Sequence, residues 1–206
     1  MEVCVDSLES AINAVEGGAN RLELCSSLAV GGLTPSLGLL RCVRRKLPNI
    51  VSHVLIRCRD GDFLYTEDEI EVMYEDIKCL VEAGADGIVI GCLDEHGNVD
   101  VQQCCKLIET ANSCSKGRKI NITFHRAFDM TPPDNVTKTM NDIIQISCSR
   151  ILTSGQQKTS IEGKFLIKEL IDNYGDQIII MPGGGINENN LEHLLKMWTN
   201  DDTIYN

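Results

Sequence analysis

The sequence predicts an α/β fold, a (β/α)8 TIM-type barrel that is incomplete at its C-terminus, with the final helix and tail missing. Three observations predict it. Short apolar segments alternate with helical patterns in strict βα order along the 206 residues, and that alternation builds a parallel sheet covered by helices. No composition break marks a linker, so residues 1–206 read as a single domain. Polar residues also fall at the inward positions of strands one, two, three and five. An open doubly wound sheet, covered on both faces, needs both to be apolar, whereas a barrel does not. The length is short for a barrel, which typically takes ~250 residues.

Each element follows from local signals. The segments Glu2-Val3-Cys4-Val5-Asp6 and Arg21-Leu22-Glu23-Leu24-Cys25 alternate with period two, so Val3, Val5, Leu22 and Leu24 share one face and Glu2, Cys4, Asp6, Arg21, Glu23 and Cys25 the other. Between them Ser7 caps a helix that Gly17-Gly18 ends near Glu16. The junction from Glu16 to Leu24 is echoed by Glu82 to Ile90, helix end, glycine stop, turn and strand. Thr34-Pro35 starts the second helix, with Thr as cap. Strand three spans about Val51 to Arg57, and Thr66-Glu67-Asp68-Glu69 is a capping box for a long helix ending near Gly84. Strand four is Gly87 to Ile90, and helix four runs from about Asp100 to Asn112. Strands five, six and seven are Lys119 to His125, Arg150 to Thr153 and Gln177 to Met181. Thr203-Ile204-Tyr205-Asn206 read as the start of an eighth strand.

Composition narrows the function classes. No apolar run approaches the ~20 residues a membrane span needs, and the N-terminus carries no signal-peptide pattern, so the expected compartment is the cytoplasm. A net charge of −11 argues against nucleic-acid binding, which needs clustered Lys and Arg. The ten cysteines never form Cys-x-x-Cys, which excludes a zinc ribbon or thioredoxin-type motif, and in a chain with a core of its own they read as reduced thiols.

Active sites of barrels lie at the C-terminal strand ends, where three constellations gather. Cys4 and Cys25 sit on one polar face of neighbouring strands ~4.8 Å apart. That suits a soft two-coordinate ion such as Cu(I), against the plainer reading of buried cysteines as small hydrophobes. Arg57, His125 and Arg126, with Asp129, are catalytic candidates: His125 as acid, base or ligand, Arg57 and Arg126 as anion clamps, Asp129 orienting Arg126 or His125. A hydrogen-bonded structural His125 and a buried Arg57–Glu23 ion pair are the competing readings. Gly183, Gly184 and Gly185, between a strand and a helix, expose backbone N–H groups that suit a small anionic ligand.

At these same residues the chain resembles the CutC copper homeostasis family. The matching stretches are Met1 to Ser7, Arg21 to Ser26, Gly61 to Tyr65, Thr123 to Asp129, Leu152 to Gly155 and Met181 to Ile186. The resemblance implies a (β/α)8 barrel, cytoplasmic and also nuclear, forming a homo-oligomer and associated with Cu(I) binding, with Cys4 and Cys25 at the positions of the copper-binding cysteines. It implies no defined reaction. Where the family pattern has Ile-Arg-Pro-Arg this chain has Ile56-Arg57-Cys58-Arg59, which adds a third thiol. The leading expectation is a protein of copper homeostasis that binds Cu(I) through paired thiolates, with Glu23 or Arg57 tuning the site. The alternative is a barrel enzyme acting on a small phosphorylated or carboxylate substrate.

Overall fold

A computed structural model describes residues 1–199. Seven strands, β1 (Glu2–Val5), β2 (Arg21–Leu24), β3 (Val51–Leu55), β4 (Gly87–Ile90), β5 (Asn121–Phe124), β6 (Arg150–Thr153) and β7 (Ile179–Pro182), follow one another in chain order in one sheet. The helices are α1 (Leu8–Glu16), α2 (Leu37–Lys46), α3 (Glu67–Glu82), α4 (Val101–Cys114), α5 (Val136–Gln145), α6 (Lys164–Tyr174) and α7 (Leu191–Thr199). One helix after each strand is the βα repeat that the sequence predicts, and the ladders β1–β2, β2–β3, β3–β4 and β6–β7 are parallel. The expected eighth strand at 203–206 lies outside the described residues. The chain divides into two compact units, residues 1–92 with 100–123, and residues 93–99 with 124 onward.

In the first unit the apolar face of each strand is buried: Leu22 and Leu24 of β2, Val54 of β3, Ile88 and Ile90 of β4. Helix α3 contributes Ile70, Met73, Ile77, Leu80 and Val81 to the buried set, the i, i+3, i+4 spacing of a helix that buries one stripe. Register decides what the opposite face carries. Cys4 pairs with Glu23, Glu23 with His53, and His53 with Gly87, so one row of four strands is polar. Gly87 is glycine because a Cβ there would stand 2.7 Å from the His53 ring and from the Asn121 carbonyl. One step up, Cys25, Leu55 and Val89 form a buried apolar cluster that closes over the polar row.

The repeated junction is the same motif twice. Gly18 N donates to Val15 O and Ala19 N to Ala14 O; Gly84 N donates to Val81 O and Ala85 N to Leu80 O. These are the paired bonds of a Schellman stop, with glycine in the left-handed region at φ +92° and +107°. A third copy closes α5, with Ser147 at φ +64° and bonds from Ser147 N to Ile144 O and Cys148 N to Ile143 O.

Some boundaries differ from the sequence expectation. Helix α2 is capped by Ser36, whose Oγ accepts from Leu39 N, and not by Thr34, because Thr34 Oγ1 instead accepts from Arg57 N at 3.0 Å. Strand β5 stops at Phe124, since His125 turns away to cap a 3-10 turn over Arg126–Met130. Strand β7 starts two residues late because Gln177 N and Ile178 N both bond to Tyr174 O and finish α6. In the second unit, Ile167, Leu194 and Trp198 cluster where α6 meets α7, with Trp198 Nε1 donating to Lys164 O.

Gly84→Ala is expected to lower stability by about 1–2 kcal/mol, the cost of a left-handed Cβ, because the space around it is adequate, with Arg44 Nε 3.5 Å away. Urea unfolding of the two proteins measures it.

Candidate metal centre

Parallel pairing of β1 with β2 brings the two predicted thiols together. The Cys25 thiol hydrogen-bonds with that of Cys4 and donates to Glu23 Oε1 at 3.4 Å. Cys4 is exposed and Cys25 is 1% exposed, so the pair has one member in water and one in the core. The contact with Cys4, burial and the nearby Glu23 carboxylate push the Cys25 thiol well above the usual thiol range. Glu23, 4% exposed, is raised to about 7, first by loss of water and then by the negative charge of Glu2. Glu2 is itself engaged by Arg21 Nε, and its carboxylate lies 3.8 Å from His53 Nδ1. The arrangement holds the Cys25 thiol protonated beside a carboxyl that titrates near neutrality.

Arg57 serves this centre from behind. Its Nη1 donates to the carbonyls of Val30 and Gly32 at 2.9 and 3.0 Å, and Nη2 to that of Gly61 at 3.0 Å, while the guanidinium lies over the Phe63 ring. The group is spent on loop carbonyls rather than on Glu23 or a free anion. What it holds is the segment after β2, where Gly32, at φ +90°, passes so close that a Cβ would stand 2.9 Å from Leu55 and 3.5 Å from Cys25 Sγ. Gly32 and Thr34 are therefore parts of the centre that the sequence reading missed. The Gly31-Gly32 doublet was the available signal.

The remaining candidates lie in the second unit. His125 is buried, and its Nδ1 accepts from Ala127 N at 3.1 Å, which sets it as a cap. Asp129 accepts from Arg126 Nε (2.8 Å), Thr153 Oγ1 (2.5 Å), Ser154 N and Oγ, and Gln156 N (3.1 Å). It therefore orients Arg126. Arg126 Nη2 donates to Ser154 Oγ at 2.8 Å, and Nη1 stands 3.3 Å from where a Gly184 Cβ would be. Gly184 and Gly185 both have positive φ, +101° and +73°. The loop is tied down by Ser160, whose Oγ donates to Gly183 O and whose N donates to Gly184 O.

Among the described residues no group of three or more His, Cys, Asp or Glu is placed to hold a metal ion, and no helix is long and apolar enough to cross a membrane. The CutC family profile matches residues 1–201. The chain belongs to the CutC family. Copper homeostasis protein cutC homologs of Mus musculus and Homo sapiens are each 45% identical to it over 196 residues, 95% of this chain and 69% and 68% of theirs. A solved structure assigned to CutC, from Streptococcus agalactiae, superposes with a TM-score of 0.85 at 32% identity, covering 95% of this chain and 92% of that one. This CutC chain thus has the TIM-like βα fold that its strand order implies.

The buried carboxyl has a stability signature. Glu23 binds its proton more tightly folded than unfolded, so between pH 4.5 and 7 the unfolded chain ionises first and stability falls as pH rises. The full loss, present above pH 7, is about 3 kcal/mol. Glu23→Gln should remove that part of the slope, which denaturant unfolding at pH 5 and pH 8 reads as a difference from wild type.

Proposed function

We propose that this CutC protein binds Cu(I) through the thiolates of Cys4 and Cys25 as part of copper homeostasis. The observation that carries the reading is the direct contact of these two thiols across β1 and β2. Two soft thiol donors suit a soft two-coordinate ion and not tetrahedral zinc, whose structural sites take four ligands, and among the described residues no group of three or more His, Cys, Asp or Glu is placed to hold a metal ion. The relatives named copper homeostasis proteins support the choice of metal. Loading replaces two thiol protons by one Cu(I), and Arg57 supports the site by holding Gly32 against Cys25. A cytoplasmic and nuclear homo-oligomer is the setting that the resemblance adds to this reading.

Anaerobic titration of the reduced protein with Cu(I) against a competing chelator tests it. Cys4→Ser and Cys25→Ser should each abolish one tight site, and unchanged copper stoichiometry in both would sink the reading.

One observation favours a second reading, an anion site in the other unit. Arg126 Nη1 faces a loop whose glycines leave no side chain in the way, a geometry fit for a phosphate or carboxylate at exposed backbone N–H groups. In this reading Gly183, Gly184, Gly185 and Arg126 hold the anion, and His125 and Asp129 position Arg126 and its neighbours. Inorganic phosphate should then raise the melting temperature of wild type and leave that of Arg126→Ala unmoved; equal shifts in both would remove Arg126 from any such site.

A further inference from the structure

A second thiol pair lies at the end of β4. Cys92 follows that strand by two residues, and its carbonyl accepts from Asp100 N at 2.9 Å and from Cys104 Sγ at 3.9 Å. Asp100 caps α4 through Gln103 N, so the first turn of the helix is fastened to Cys92. Cys104 then heads the buried stripe Cys104, Leu107, Ile108 and Ala111, which turns its thiol onto that of Cys92. The two thiols hydrogen-bond to one another, at 2% and 0% exposure. The Tyr65 hydroxyl is buried within electrostatic reach of Cys92 and Cys58, and among the described residues it has no hydrogen-bond partner.

Packing alone accounts for a cysteine in a core stripe, but not for two thiols in contact, with an unpartnered hydroxyl in electrostatic reach of one of them, since buried polar groups are normally paired. We propose that Cys92 and Cys104 form a second soft-metal site, which takes a two-coordinate monovalent d10 cation, Cu(I), with Tyr65 donating its hydrogen bond to a ligating sulfur. The exchange balances: one Cu(I) enters, two thiol protons leave, and the resulting dithiolate complex carries one negative charge. A hydroxyl donor within electrostatic reach of a sulfur would lower the cost of burying that charge once it turns to the site. With two thiol ligands, and no group of three or more His, Cys, Asp or Glu placed to hold a metal among the described residues, the site selects against Zn(II).

The site is independent of Cys4 and Cys25, and the test separates them. Anaerobic Cu(I) titration of Cys4→Ser/Cys25→Ser against a competing chelator should show one remaining ion per chain, lost when Cys92→Ala is added. No tight binding in the double variant overturns the proposal and leaves the first site standing; retention of the ion after Cys92→Ala overturns it as well. If wild type binds one ion and the double variant keeps it, with Cys92→Ala removing it, the first site fails and this one holds. Two readouts spare the ligands in case Cys92→Ala does not fold. Copper K-edge absorption of the loaded double variant should show two sulfur neighbours, and a third sulfur or an oxygen shell overturns the assignment. Tyr65→Phe in the same background should weaken Cu(I) about tenfold, the worth of a hydrogen bond to a charged group, with stoichiometry unchanged; equal affinity removes Tyr65 from the site.

Discussion

Parallel register across β1, β2, β3 and β4 is the constraint on which the first unit depends. With a side-chain period of two, a slip of one residue would send every inward group outward. The observed pairing of Cys4 with Glu23, Glu23 with His53 and His53 with Gly87 stacks polar groups in one row and places Cys25, Leu55 and Val89 in the next. Glu23 and His53 in the polar row are buried, while Cys4 stays exposed. Loss of water is the main reason that Glu23 holds its proton to about 7, and the contact with Cys4, then burial, keeps the Cys25 thiol protonated. The electrostatics of the centre thus follow from strand pairing before any ligand is considered.

The row is costly, and its neighbours are shaped to offset the cost. A buried carboxyl without a cation prefers to be neutral, and Glu23 has a thiol donor at 3.4 Å in place of an arginine. The arginine at hand, Arg57, is used elsewhere, on three carbonyls of the loops around Gly32 and Gly61. Those carbonyls would otherwise be left without donors close to a buried core. Gly87 and Gly32 are the other accommodations, one clearing space for the His53 ring and one for Leu55 and Cys25.

Much of this was legible in the sequence because it is local. Alternation in Glu2–Asp6 and Arg21–Cys25 separates the two faces of each strand, and the glycines that mark the helix stops recur in the same hydrogen-bonding motif at Gly18 and Gly84. The meeting of Cys4 and Cys25 followed from adjacency of the first two strands. The non-local parts were not legible. The partners of Arg57 lie 25 and 27 residues back in the chain, so reading it as an anion clamp or as an ion pair with Glu23 missed a loop that folds back onto it. The cap of α2 moved from Thr34 to Ser36 for the same reason, since Arg57 N claims the Thr34 hydroxyl. Cys104 lies in the buried stripe of α4; its contact with Cys92 depends on how the helix cap docks on a strand end, which periodicity does not encode.

The two thiol pairs differ in depth, and under the proposed readings depth would separate how they exchange an ion. An ion held by two thiolates leaves through attack by an incoming donor on the metal, which needs an open approach to the site. Cys4 is exposed beside buried Cys25, and the Gly32 segment clamped by Arg57 covers the Cys25 side. If the proposed site holds an ion, the exposed Cys4 side is the open approach for an incoming thiol. Cys92 and Cys104 are both buried beside the first turn of α4, so an ion in the proposed second site would exchange only as fast as that turn opens, while one held at Cys4 and Cys25 would exchange at the rate of encounter.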